Sequence, residues 1–223
     1  MNKELLIQAI TKFIMGVLLV AILLFLPAGS FAYWNAWLLI GVLFIPMLGA
    51  GIVLMIKNPE LLKMRLNAKE KEKQQKKVIA FSGIMFIAGF ILAGLGYRFH
   101  WFVLPKTVCI AAAIVFVIAY ALYAEVLREN TYLSRTIEVQ ENQKVIDTGL
   151  YGIVRHPMYA VTILLFLAIP LLLGSIFSFG IFCVYPFILK KRIENEENVL
   201  TKELAGYDAY KKKVKYRIIP FVW

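Results

Sequence analysis

The chain has 223 residues, of which 61% are hydrophobic and only 17% charged. An ordinary soluble domain is about half apolar, so this composition points to a membrane protein. The formal charge of +11 is spread between apolar runs rather than gathered in a domain of its own, which argues against nucleic-acid binding and for loops facing anionic lipid. Cys109 and Cys183 each lie within an apolar run and read as packed thiols, not as a disulfide or metal pair.

Taken in chain order, the apolar runs predict membrane-crossing helices, each needing roughly 20 residues for about 30 Å of hydrocarbon. The first covers positions 9–29; its apolar run, 13–28, follows Lys3 and Lys12, and it reads as a retained helix rather than a cleaved signal. The second covers 34–56, with Tyr33, Trp34 and Trp37 at the junction, where interfacial aromatics belong. A strongly basic loop, 57–77, leads to a third span at 78–97. A short link carrying Trp101 leads to a fourth span at 106–127, and a polar stretch, 128–157, follows.

Positions 158–189 form one apolar run of 32 residues. As a single helix it would be about 48 Å long, too long for an ordinary bilayer without heavy tilt. Pro170, Gly174 and Ser175 near its middle predict instead a helical hairpin, 158–172 and 176–190. Its arms are short, which leaves open whether the turn reaches the far interface. Charge supports the hairpin. With the N-terminus inside, every Lys and Arg except Arg98 and Lys106 falls on the cytoplasmic side, as the positive-inside rule requires. A single span would put the basic tail outside. The expected fold is therefore all-α: a polytopic membrane bundle of about six crossing segments, the last two a hairpin, with cytoplasmic C-terminal helices and both termini in the cytoplasm. Residues 1–127 supply the N-terminal helices and 128–223 a C-terminal core. No internal repeat of the inverted-transporter kind is visible.

Two polar segments are candidates for chemistry. In VIDTGLYGIVRHPMY, 145–159, Gly149 and Gly152 suit close approach of backbone to a ligand. Arg155 and His156 stand before Pro157, a residue suited to the first turn of a helix, whose free N–H groups favour an anion. In KKRIENEENVLTKELAGYDAYKKKVKYRIIP, 190–220, a helix would put Arg192 and Glu196 on one face and Ile193 and Glu197 on another. It should end near Gly206, with Tyr207 and Tyr210 in a separate turn. Arg192 suits a carboxylate, and a nearby Glu suits an amino group. These residues also admit a plainer reading: Arg155 and His156 as snorkelling side chains, the glutamates as a solvated face, the tyrosines as belt aromatics. The chain has only two histidines, His100 and His156, which the topology puts on opposite sides, so no metal site is expected.

GLYGIVRHPMY, a short apolar hairpin, then RIENEENVL, GYDAYKKKV and IP together resemble the C-terminal core of the isoprenylcysteine carboxyl methyltransferase family over about residues 136–220. NPELLKMR, 58–65, looks like the corresponding loop of bacterial members. Phospholipid N-methyltransferases and some membrane sterol reductases share a related architecture. The resemblance implies S-adenosylmethionine as cofactor, in a pocket facing the cytoplasm and lined by Gln143, Ile146, Tyr151, His156, Pro157, Tyr159 and Glu196. It implies Arg192 beside the acceptor's carboxylate and Arg155 in the same motif. It further implies a lipophilic or prenylated acceptor entering from the bilayer, and residence in a bacterial plasma membrane. Gln143, where eukaryotic members often have His, and Leu204, where an aromatic is common, depart from the pattern.

Other functions fit the same residues. A phospholipid or other amine methyltransferase would need a base, such as His156 or a Glu. A nicotinamide-dependent reductase is also compatible, although no glycine-rich fingerprint is present. A non-enzymatic transporter or scaffold would draw on intramembrane ionisable groups, of which Glu125 is the clearest candidate.

Overall fold

The computed structural model describes residues 3–66, 73–133 and 139–223. These form α1 (Lys3–Ala28), α2 (Trp34–Lys57), α3 (Pro59–Leu66), α4 (Lys73–Arg98), α5 (Lys106–Glu129), α6 (Pro157–Leu172), α7 (Ile176–Phe182), α8 (Tyr185–Glu203) and α9 (Tyr207–Lys213). Among the described residues there is no strand, only one isolated bridge. By length and composition, α1, α2, α4 and α5 can each cross a membrane. Ile14, Leu18 and Ile22 on α1, Ile45 and Ile52 on α2, and Ile114 and Ile118 on α5 face outward and are exposed. A soluble monomer rarely shows so continuous an apolar exterior. The chain is a polytopic helical membrane bundle.

The helices pack through small residues and aromatic wedges. At Gly94 on α4 a Cβ would come within 2.7 Å of the Leu24 carbonyl on α1, so the two backbones meet closely. Phe116 of α5 and Phe182 of α7 are fully buried in the central core with Tyr33, Leu39 and Leu172. α5 makes its broadest contact with α6, which carries the second half of the chain into the bundle.

The predicted hairpin is present, and its turn lies at Leu173, Gly174 and Ser175, where Gly174 has φ +74°. The last carbonyls of a helix lack partners within it. Here Asn35 Nδ2 donates to the Leu172 carbonyl at 2.7 Å and the Tyr33 hydroxyl to that of Leu173 at 2.6 Å. Val103 bridges Ser175, and Leu104 N–H donates to the Gly174 carbonyl at 3.0 Å. The turn therefore reaches the level of the α1–α2 and α4–α5 connections.

Two expectations need correction. The second hairpin arm, read as one helix over 176–190, is split into α7 and α8 at Cys183 and Val184. Pro186 lies in the first turn of α8 and has no N–H to continue the α7 ladder. Cys183 at this break is half-buried, whereas Cys109 is buried. The basic loop at 57–77 contains a helix, α3, which the Asn58 side chain caps by accepting the Leu61 N–H at 3.1 Å. Positions 67–72 of that loop and 134–138 of the polar stretch lie outside the described residues.

Candidate functional site

The end of the bundle opposite the hairpin turn gathers the polar segments. A 3-10 turn at Gly149–Gly152 follows α5. Glu129, the last residue of α5, accepts from the Thr148 hydroxyl at 3.0 Å and the Leu150 N–H at 3.1 Å, which pins this strap to the helix end. Gly149 has φ +47°, and a Cβ there would collide with the Glu129 carboxylate. At Gly152 a Cβ would lie 3.2 Å from the Asp147 carbonyl. The two glycines thus admit the protein's own groups, not the ligand expected from the sequence.

The entry to α6 likewise differs from an open anion site. Arg155 N–H donates to the Tyr216 carbonyl at 2.9 Å and His156 N–H to that of Arg217 at 2.8 Å. The C-terminal segment occupies both groups. Pro157, the first residue of α6, brings no N–H.

Glu197 holds these pieces together. Its carboxylate is buried and accepts from Arg155 Nε at 2.7 Å, from Arg217 Nε at 2.9 Å and from His156 Nε2 at 3.2 Å. Arg155 also donates to the carbonyls of Val214 and Lys215, at 2.8 and 2.7 Å, so its guanidinium ties the tail to the loop before α6. Burial alone would raise the Glu197 carboxyl. The hydrogen bonds from His156, Arg217 and Arg155 outweigh it and hold Glu197 well below the usual carboxylate range. An ionised carboxylate only accepts, so His156 Nε2 carries a proton toward it, and Nδ1 faces Glu196, whose Oε1 is 4.0 Å away.

Beside this cluster opens a narrow cleft with a cavity volume of about 90 Å³, smaller than the usual small-molecule site. Gln143, Ile146, Tyr151, Arg155, His156, Tyr159, Arg192 and Glu196 all line it. The fold thus brings together eight of the nine residues singled out in the sequence. Pro157 does not line it; it is buried in the first turn of α6. The central arrangement is a chain of three side chains. Arg192 Nε donates to the Tyr159 hydroxyl at 2.9 Å, and that hydroxyl donates to Glu196 Oε2 at 2.5 Å. A cation and an anion on successive turns of α8 are thereby oriented through one buried phenol. Gln143 turns its side-chain oxygen onto the Gln140 N–H at 2.8 Å and so shapes its own loop.

Three residues of the site were not picked out by sequence reasoning. Glu197 stands next to Glu196 in a run of acidic residues, and only its four-residue spacing from the fully buried Ile193 hinted that it faces inward. Arg217 carries no local signal. Tyr207 is buried and lines the cleft, although an amphipathic turn was all that its surroundings predicted. Leu200 and Leu204 add apolar wall.

A bundle with apolar exterior helices and a charged cleft at one end is the class that fold and site define: a polytopic membrane protein whose polar cleft lies at its basic end. The sequence profile described as the isoprenylcysteine carboxyl methyltransferase (ICMT) family matches residues 109–202, from α5 to the last turn of α8. A delta(14)-sterol reductase from Mus musculus is 31% identical over 91 residues, 40% of this chain and 22% of that protein. The match thus spans well under half of the reductase's own length.

Proposed function

We propose that the protein is an integral-membrane methyltransferase that uses S-adenosylmethionine to methylate a lipophilic acceptor, in the first instance a carboxylate of the isoprenylcysteine type. The observation that carries this reading is the Arg192–Tyr159–Glu196 chain lining the cleft. The profile match over 109–202 supports it.

The residues fit the cofactor. Glu196 offers an anion for its amino group, and Tyr151, Leu200 and Leu204 offer apolar wall for a flat ring. When bound, the cofactor supplies an electrophilic methyl group on a positively charged sulfur. A carboxylate acceptor needs no base, so the protein's task is positioning. Arg192, oriented by Tyr159, presents a guanidinium for the acceptor's carboxylate. His156, fixed by Glu197 with Nδ1 toward Glu196, completes the polar wall. The apolar exterior of the bundle suits an acceptor whose hydrocarbon part stays in the bilayer. The basic end, by the charge rule, faces the cytoplasm, where the cofactor is found, and a bacterial plasma membrane is the setting this reading implies.

A reductase is the second reading, favoured by the 31% identity to a sterol reductase. A nicotinamide dinucleotide brings several negative charges toward Glu196, which the positively charged sulfonium ligand does not. Calorimetry on detergent-solubilised, folded protein separates the two. Binding of S-adenosylmethionine without binding of NADPH is expected, and the reverse overturns the proposal. With labelled cofactor and lipid extract, alkali-labile product identifies an ester; alkali-stable product identifies an amine acceptor and overturns the carboxylate assignment.

A further inference from the structure

Five tyrosines line the cleft: Tyr132, Tyr151, Tyr159, Tyr207 and Tyr210. Four have partners for their hydroxyls. Tyr132 donates to the Asn142 carbonyl at 3.3 Å, Tyr159 to Glu196 at 2.5 Å and Tyr210 to the Tyr151 carbonyl at 2.8 Å. Tyr151 bonds with Asn130. The Tyr207 hydroxyl is buried and has no hydrogen-bond partner among the described residues. Leaving such a group unpaired is costly, and native proteins seldom do so without a functional reason.

Its surroundings say what it is for. Tyr207 opens α9 directly after Gly206, whose φ of +86° makes the sharp turn out of α8. The ring packs on Tyr210, with centroids 5.8 Å apart, in a cluster with Leu204 and Val214. Packing therefore fixes the ring, and the residue lines the cleft. Burial, and then the charges of Glu197 and Glu196, push the phenol well above its ordinary value, while Arg155 pulls the other way. The group keeps its proton and acts as a donor. It sits in the same wall as Glu196 and in the field of Arg155.

We infer that Tyr207 is the donor that recognises the carboxylate of the cofactor's amino-acid end, beside the ammonium site at Glu196. The inference rests on the proposed cofactor. In an α-amino acid the ammonium and carboxylate are borne by the same carbon. A wall that holds the first at Glu196 needs a donor close by for the second. The Arg155 N–H and His156 N–H are already taken by the C-terminal segment, and Arg155 Nε and Nη1 are taken by Glu197 and two carbonyls. Among the described residues the Tyr207 hydroxyl is a neutral donor in this wall that no protein group uses.

The test is the Tyr207→Phe variant, titrated calorimetrically with S-adenosylmethionine and with its decarboxylated analogue, alongside the unaltered protein. A hydrogen bond to a charged group is worth about tenfold or more in affinity. Y207F should bind S-adenosylmethionine about tenfold or more weakly, and should bind the decarboxylated analogue as the unaltered protein does. Unliganded Y207F should unfold at the same temperature, since no protein partner is lost. Equal losses on both ligands, or no loss on either, overturn the inference. So does a fall in unfolding temperature of more than about 4 °C, which would assign the hydroxyl to the fold. If the unaltered protein binds neither ligand, the cofactor reading itself fails, an outcome visible without the variant.

Discussion

Arg155 and Glu197, 42 residues apart in sequence, meet at 2.7 Å with both side chains buried. The pair joins the loop before α6 to α8, and Arg217 brings the C-terminal segment to the same carboxylate at 2.8 Å. The site is thus assembled around one anion. Breaking a buried pair by removing one partner typically costs about 3–5 kcal/mol, because the other charge is left uncompensated. Glu197→Gln should lose stability of about that size, read as unfolding in detergent. Glu197→Asp should lose less. A Gln variant as stable as the unaltered protein would show that the cluster is not the fastener described.

The same carboxylate sets an acid limit. Its pKa is lowered in the folded state from an ordinary value of 4.5. A depressed carboxyl contributes stability that is fully present above the unfolded value and is lost as pH falls toward the folded one. The Glu197 contribution should therefore be constant from pH 7 down to about 5 and decline below about 4.5. Unfolding temperature measured against pH should show this slope, and E197Q should show a shallower one.

Tyr159 stands between Arg192 and Glu196. Tyr159→Phe removes a hydroxyl bonded to both charges, worth about 1.5–3 kcal/mol. Methyl transfer should fall by roughly ten- to a hundredfold, with KM for the acceptor rising as Arg192 loses its orientation. An unchanged rate would separate Tyr159 from the reaction.

Glu196→Gln should weaken S-adenosylmethionine by about tenfold or more, since a charge-assisted bond is replaced by a neutral one. The protein should stay folded, because Glu196 is partly exposed, unlike Glu197. Unaltered affinity in calorimetry would remove Glu196 from the cofactor site.

Gly149→Ala tests the strap. A side chain at φ +47° is strained and would strike Glu129, so a loss of about 1–3 kcal/mol is expected. Thermal unfolding of G149A at the unaltered value would refute this account of the glycine.

How far the site was legible follows from range. Tyr159, Arg192 and Glu196 could be named because they lie in short motifs, and a helix with four-residue spacing puts the last two together. Glu197 could not be separated from Glu196, because neighbouring acidic residues look alike until a packed partner selects one face. Arg217 gave no sign, and Tyr207 only a place in a separate turn, since their roles depend on a tail that folds back across α6. Gly149 and Gly152 showed that the backbone needed room, but not that Glu129 and Asp147 would fill it.

Length, apolar run and charge placement determined by themselves that this is a helical membrane bundle with a hairpin near its end. Those features reflect the cost of moving backbone and charge into lipid, which is paid segment by segment and so is written locally. The split between α7 and α8, the closing of the α6 entry by the tail and the choice of Glu197 as central anion were decided only by tertiary structure. Each depends on which groups meet across long stretches of chain, and burial and hydrogen-bond geometry settle that only when all the partners are in place.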